Sequence, residues 1–113
     1  MKEYLLLMRG GKPMSAKTEE ESKAEWEAWG VYMGKLGASG SLAGGFPLVG
    51  GGKTVSTVGV TNEPVTSSKE GIVGGYLIVK ADSLDGAVAL TQDCPHLQYE
   101  GNIEVREIAP MPV

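Results

Sequence analysis

The chain has 113 residues, 42% of them apolar and 21% charged, with a formal net charge of −4. That size and apolar content fit one domain, residues 1–113, with a core of its own. The acidic balance, with no cluster of Lys or Arg able to track a phosphate backbone, argues against nucleic acid and against anionic membranes as partners.

The opening KEYLLLMR alternates as a strand, with Tyr4, Leu6 and Met8 on one face and Leu5 and Leu7 on the other, so both faces call for burial. A loop with Gly10, Gly11 and Pro13 follows. Thr18 then caps a helix, and Glu21 three positions on completes a capping box. Ser22, Trp26, Trp29, Met33 and Leu36 recur at helical spacing and predict a core-facing stripe holding both tryptophans. Gly30, Gly34 and Gly37 form a second stripe, whose helix cost of about 1 kcal/mol each is offset by close packing or a nearby ligand. Residues 41–60, SLAGGFPLVGGGKTVSTVGV, read as a hairpin of two short runs around a glycine cluster, with Pro47 suited to an edge strand. The polar segment 61–71, TNEPVTSSKEG, is a loop placed to carry function. A strand from about Ile72 to Lys80 follows. Asp82 or Ser83 caps a helix to about Asp93 that turns Leu84, Val88 and Thr91 one way, and a last strand runs near Asn102 to Ile108.

Strand, helix, hairpin, strand, helix, strand is the order of a ferredoxin-like α+β fold with an extra β-hairpin strand, its helices on one face of a mostly antiparallel sheet. Because the first strand is apolar on both sides, the simplest cover for the other face is the same face of a second copy, and a homodimer is expected. The longest apolar run, Tyr4 to Met8, is far too short to span a bilayer, and no secretion signal is recognisable, so a cytoplasmic location is expected. Cys94 has no intrachain partner, which excludes a disulfide framework.

His96 is the natural acid/base candidate, because a free imidazole titrates near neutrality. A lone His after Pro95, between a helix and a strand, equally suits a structural hydrogen bond. Cys94, two positions away, reads as a small, inert thiol. Lys69 and Glu70 either bind a ligand or form a solvated charge pair. The tryptophans pack in the core or stack a planar ligand. A pocket between helix and sheet would draw on Tyr4, Met8, Trp26, Trp29, Tyr76 and His96, with Lys69 and Glu70 from the 61–71 loop. Gly52-Lys53-Thr54 ends like a phosphate-binding loop, but Pro47 stands where the leading glycine belongs. Asp82, Asp85, Asp93 and Glu100 are too scattered for a calcium loop, and no metal or cofactor is expected.

The chain also resembles the YCII-related family, and within it the DGPF branch of dimeric α+β barrels. The resemblance rests on YLLLM, on Trp26 and Trp29, on Pro64 to Glu70 ahead of Gly74-Gly75-Tyr76, and on Cys94-Pro95-His96 through Ile103-Glu104-Val105-Arg106. The branch's Asp-Gly-Pro-Phe has Asn62-Glu63-Pro64-Val65 in its place, which replaces a carboxylate with an amide. Sister members carry a helical His and an Asp as an acid/base pair, and Trp29 and Ala38 stand at those positions here. The resemblance therefore implies fold and dimerisation more firmly than catalysis. The expected function is a homodimeric small-molecule-binding domain with acid/base activity on a small metabolite. The alternative is a regulatory interaction module, linked in some relatives to sigma-factor control of transcription.

Overall fold

The computed structural model describes residues 1–65 and 69–111. In chain order the elements are β1 (Lys2–Gly10), α1 (Glu19–Ala38), β2 (Leu42–Pro47), β3 (Thr54–Ser56), β4 (Gly59–Thr61), β5 (Val73–Ala81), α2 (Leu84–Ala89) and β6 (Gly101–Glu107), with short 3-10 helices at Met14–Ala16 and Pro95–Tyr99. The apolar alternation of β1 takes it to the middle of an antiparallel sheet in the order β2-β5-β1-β6. Tyr4, Leu6 and Met8 stand opposite Val79, Leu77 and Gly75 on β5, and opposite Glu107, Val105 and Ile103 on β6. This is the face that both helices cover. Tyr4, Leu6, Met8, Leu77, Val79 and Ala81 are buried there with Tyr32 and Leu36 of α1, Ala87 of α2, and Cys94. Fully burying one such aliphatic side chain is worth about 1.5–3 kcal/mol.

On the opposite face Leu5, Leu7, Tyr76 and Ile78 are half-buried, and Phe46, paired with Tyr76, is 69% exposed. This α+β arrangement is the ferredoxin-like one expected from the element order, with β3 and β4 added as a hairpin between β2 and β5.

The α1 start is as the sequence predicts. Glu21 N–H donates to Thr18 Oγ1 at 3.0 Å, and Thr18 N–H donates back to Glu21 Oε1 at 3.1 Å. The two reciprocal bonds satisfy donors that have no partner inside the helix.

Three expectations change. The first apolar run after Gly40 does not pair with the second. It becomes β2, antiparallel to β5 at the sheet edge, while the second run folds on itself as β3 and β4 in a separate two-stranded ribbon. Edge position does accommodate Pro47. The core stripe of α1 runs through Tyr32 and Leu36, flanked by Trp29 and Met33, and Trp26 is 78% exposed. On α2 the buried residue is Ala87, with Thr91 buried just beyond the helix, whereas Leu84 and Val88 face outward. That helix ends at Ala89, short of Asp93, and its small residues let it lie close: a Cβ on Gly86 would sit 3.6 Å from the Ala81 methyl.

Candidate functional site

Between α1 and the β2–β5 side of the sheet lies a cavity of about 620 Å³, closed at one end by the Gly10–Lys17 segment and the 3-10 helix Pro95–Tyr99. Its size is typical of small-molecule sites. The floor combines Met8, Phe46, Pro47 and Leu77 with bare backbone at Gly45 and Gly75. Gly45 lies at φ +140°, and a Cβ there would meet Tyr76 O at 2.4 Å and Leu77 Cα at 2.7 Å. Only glycine allows β2 to approach β5 that closely. A Cβ on Gly75, which pairs with Pro47, would lie 3.3 Å from Phe46 O, a closer approach than most side chains meet.

The roof comes from α1, as Trp29, Gly30 and Met33. Trp29 is held on two sides. Its ring meets Tyr32 edge-on, centroids 5.8 Å apart, and its Nε1–H donates to Glu25 Oε2 at 3.4 Å. Trp26 stands at the mouth, 78% exposed.

The polar end contains charges that cancel. Lys12 Nζ pairs with Glu21 Oε2 at 3.0 Å, and Lys17 pairs with Glu25 while its ammonium lies 4.9 Å from the centre of the Tyr99 ring. The Thr18 backbone N–H and Lys12 hold the Glu21 carboxyl below the usual carboxylate range. Glu21 and Glu25 are one helical turn apart, which puts both on one side of α1.

His96 completes this end. Its Nε2 lies 2.8 Å from the Arg9 carbonyl oxygen, across 87 residues of chain. A carbonyl only accepts, so in the neutral ring Nε2 carries the proton and Nδ1 presents a lone pair. The ring lies on Gly101, where a Cβ would be 2.2 Å from Nε2, and a Cβ on Gly11 would be 3.0 Å from Cε1. Glu100, in the left-handed region at φ 64°, turns the chain from the 3-10 helix into β6 and sets Gly101 under the imidazole. Cys94 points the other way and is fully buried. Burial pushes its thiol up to about 11, against the smaller opposing pull of the His96 backbone N–H and the Tyr32 hydroxyl. It is not a nucleophile in this state.

The structure brings Met8, Trp26, Trp29, Tyr76 and His96 to the cavity and leaves three candidates away from its walls. Tyr4 is wholly buried in the core, and its hydroxyl has no hydrogen-bond partner among the described residues. The Lys69 side chain is 90% exposed, 3.9 Å from Glu70. Glu70 borders a separate hollow with Arg9, Asn102 and Glu104. There Arg9 Nε donates to Glu104 at 2.9 Å, and Arg9 with Arg106 holds that carboxyl below its usual range. Tyr76 contributes to the cavity wall from β5, although its register with Leu7 and Phe46 sends its side chain to the opposite sheet face. Asn62 and Glu63 brace the hairpin: Lys53 Nζ donates to Asn62 Oδ1 at 2.8 Å, and Thr54 Oγ1 donates to Glu63 O at 2.7 Å. Lys12, Lys17, Glu25, Tyr99 and Gly45 belong to the cavity without having been expected there. Of these, only Glu25 had a local signal, one helical turn beyond the capping-box Glu21.

Among the described residues no three His, Cys, Asp or Glu side chains converge as a metal site, and no helix is long and apolar enough to cross a membrane.

An antiparallel sheet with both helices on one face and a cavity beneath the first helix defines a small ferredoxin-like α+β protein with room for a ligand. The chain belongs to the YCII-related family, whose domain matches residues 3–112. Among solved structures it is similar to 5-chloro-2-hydroxyhydroquinone dehydrochlorinase (TftG) from Burkholderia phenoliruptrix AC1100, in complex with 2,5-dihydroxybenzoquinone. The two share 18% identity over 94% of this chain and 93% of that one, with a TM-score of 0.55. No curated protein matches the chain.

Proposed function

We propose that the protein is a homodimeric small-molecule-binding protein with acid/base activity on a small metabolite, bound in the cavity under α1. The observation that carries this reading is the held imidazole. His96 is oriented through Nε2 by the Arg9 carbonyl, which leaves Nδ1 without a hydrogen-bond partner among the described residues beside an apolar cavity. A base needs that arrangement: one nitrogen fixed, the other available to a substrate proton. Membership of the YCII-related family and likeness in fold to a dehydrochlorinase with a bound small molecule support it. The half-buried Leu5, Leu7, Tyr76 and Ile78 with exposed Phe46 support the dimer, since a second copy of the same face would cover them.

Native mass spectrometry on gently purified protein tests both parts. The expected spectrum shows a dimer with a retained small molecule, and Gly30→Leu abolishes the added mass by filling the cavity. A monomer at micromolar concentration would remove the dimer. An added mass that persists unchanged in Gly30→Leu would move the ligand elsewhere.

A further inference from the structure

The β3–β4 ribbon carries an apolar side that its own chain leaves exposed. We infer that it is an arm whose valine side packs on a second copy of this chain, each copy giving one arm and receiving one. This step rests on the reading of the protein as a dimer paired through the outer face of the sheet.

The arm is pinned at its roots and projects beyond them. Leu48 N–H donates to Gly74 O at 2.9 Å, and Gly10 N–H donates to Ile72 O at 3.0 Å, which ties both roots to the sheet. From Val49 to Val65 the side-chain hydrogen bonds among the described residues stay inside the arm, joining Lys53 to Asn62, Thr54 to Glu63 O and Ser56 to Gly59 O. Thr54 pairs with Thr61, Val55 with Val60, and Ser56 with Gly59. Paired residues share a side and successive ones alternate, so Val55 and Val60 form an apolar side and the hydroxyls a polar one. Val55 is 75% exposed, Val60 59%, and Val58 at the turn 95%. A two-stranded ribbon is marginal in water alone and is stabilised by burying such a side. The radius of gyration, 15.4 Å, exceeds the ~13 Å of a compact domain of this length, as a projecting arm makes it.

A second copy is the occupant these features fit. On the outer sheet face Leu5, Leu7, Tyr76 and Ile78 form an apolar strip, while Arg106 and Glu104, opposite Leu5 and Leu7, make the β6 side charged. The apolar surface therefore runs toward β2, where exposed Phe46 borders it and exposed Val49 begins the arm. At about 4.8 Å between strands and about 3.3 Å per residue, a four-stranded face about seven residues long has a plan area of roughly 450 Å². A stable interface takes about 800 Å² from each partner, so the sheet face alone falls short and the arm adds what is missing. No charged residue lies between Lys53 and Glu63, so the ribbon brings no charge to desolvate on an apolar strip. Reach is ample: the chain from Leu48 to Val58 spans up to ~30 Å when extended, against ~10 Å between stacked sheets. A two-fold axis brings in both arms by the same contact.

Sedimentation and thiol labelling of the whole protein test the arm. Val55→Asp with Val60→Asp should raise the dimer dissociation constant by at least about hundredfold, because each arm loses two buried valines and gains two unpaired charges. Circular dichroism should be unchanged, since both residues are exposed in the single chain. Val58→Cys should react slowly with a maleimide in the dimer and rapidly in chains separated by dilution or by Ile78→Asp, with buried Cys94 silent throughout. The labelling result stands even where the charged variant misfolds. Unaltered dimer affinity in the folded double variant, or equally fast labelling of dimer and separated chains, would overturn the arm while leaving the dimer, provided Ile78→Asp separates the copies. Slow labelling in both states would also overturn it, by placing the ribbon on its own chain. Unsubstituted protein that is monomeric at micromolar concentration would overturn the arm together with the dimer it rests on.

Discussion

Gly101→Ala probes the arrangement on which His96 depends. Gly101 has no positive φ, so alanine is free of backbone strain there, and in a strand such a change alone would stabilise by about 0.5–1 kcal/mol. The imidazole reverses that sign. The new methyl would lie 2.2 Å from Nε2, 2.3 Å from Cδ2 and 2.5 Å from Cε1. The ring must withdraw by about an ångström, which breaks the 2.8 Å bond to Arg9 O. Losing that bond costs about 1 kcal/mol, and overpacking adds about 1–3 kcal/mol. The net expectation is a loss of about 1–3 kcal/mol, read in urea as a fall of roughly 1 M in midpoint at constant slope. A double-mutant cycle isolates the cause. In a His96→Ala background the same substitution should become neutral or mildly stabilising, giving a coupling of about 1–3 kcal/mol. An equal penalty in both backgrounds, or no penalty in the first, would refute the packing of His96 on Gly101.

Other expectations are simpler to check. Thr18→Ala should lower stability by about 1 kcal/mol through loss of the capping box, seen as a lower thermal midpoint; an unchanged midpoint would contradict the cap. Tyr4→Phe should stabilise by about 1 kcal/mol in denaturant titration, because it removes a buried hydroxyl that lacks a partner among the described residues, and a loss of similar size would reveal a partner. Cys94 should resist a thiol reagent at pH 8 until urea unfolds the chain, since it is wholly buried with its thiol pushed up to about 11. Between the ordinary thiol range and that value the unfolded chain loses a proton that the folded chain keeps, so stability should fall as pH rises there, and less steeply in Cys94→Ala. Rapid labelling of the folded protein would refute this. At the acidic end the sign is opposite. The lowered carboxyls of Glu21 and Glu104 support the fold above the usual carboxylate range and lose that support as pH falls through their lowered values. Glu104→Gln should flatten that acid slope, and an unaltered slope would count against its pairing with Arg9.

The strands β1, β5 and β6 were legible because each is a run of alternating or continuous apolar residues whose periodicity is local. The cap of α1 was legible for the same reason, as four residues suffice to write it. Pairing is not local. Nothing within SLAGGFPLVGGG says that its first half joins β5, thirty residues on, rather than the run that follows it. The exposure of Trp26 was hidden for a related reason. A helix residue is buried by what lies beneath it, and Trp26 lies at the mouth of a cavity whose walls come from strands distant in sequence. His96 could be singled out as the only histidine, but its orienting partner is a backbone carbonyl 87 residues away, and every residue type has such a carbonyl.

The absence of the helical His and Asp that mark sister members takes on a different meaning in this geometry. Trp29, which the resemblance sets at the place of that His, forms the cavity roof, and His96 lines the same cavity from the 3-10 helix ahead of β6. On the proposed function, a base on that segment and an aromatic on α1 stand on two sides of one cavity. Catalytic residues on connecting segments are freer to change place than those in packed elements, because the segments lie at the rim of a scaffold whose core does not depend on them. One dependence follows: Gly101 must stay without a side chain for the imidazole to keep its seat. Gly101 and His96 are therefore one packing unit, and a side chain at Gly101 would displace the imidazole from Arg9 O.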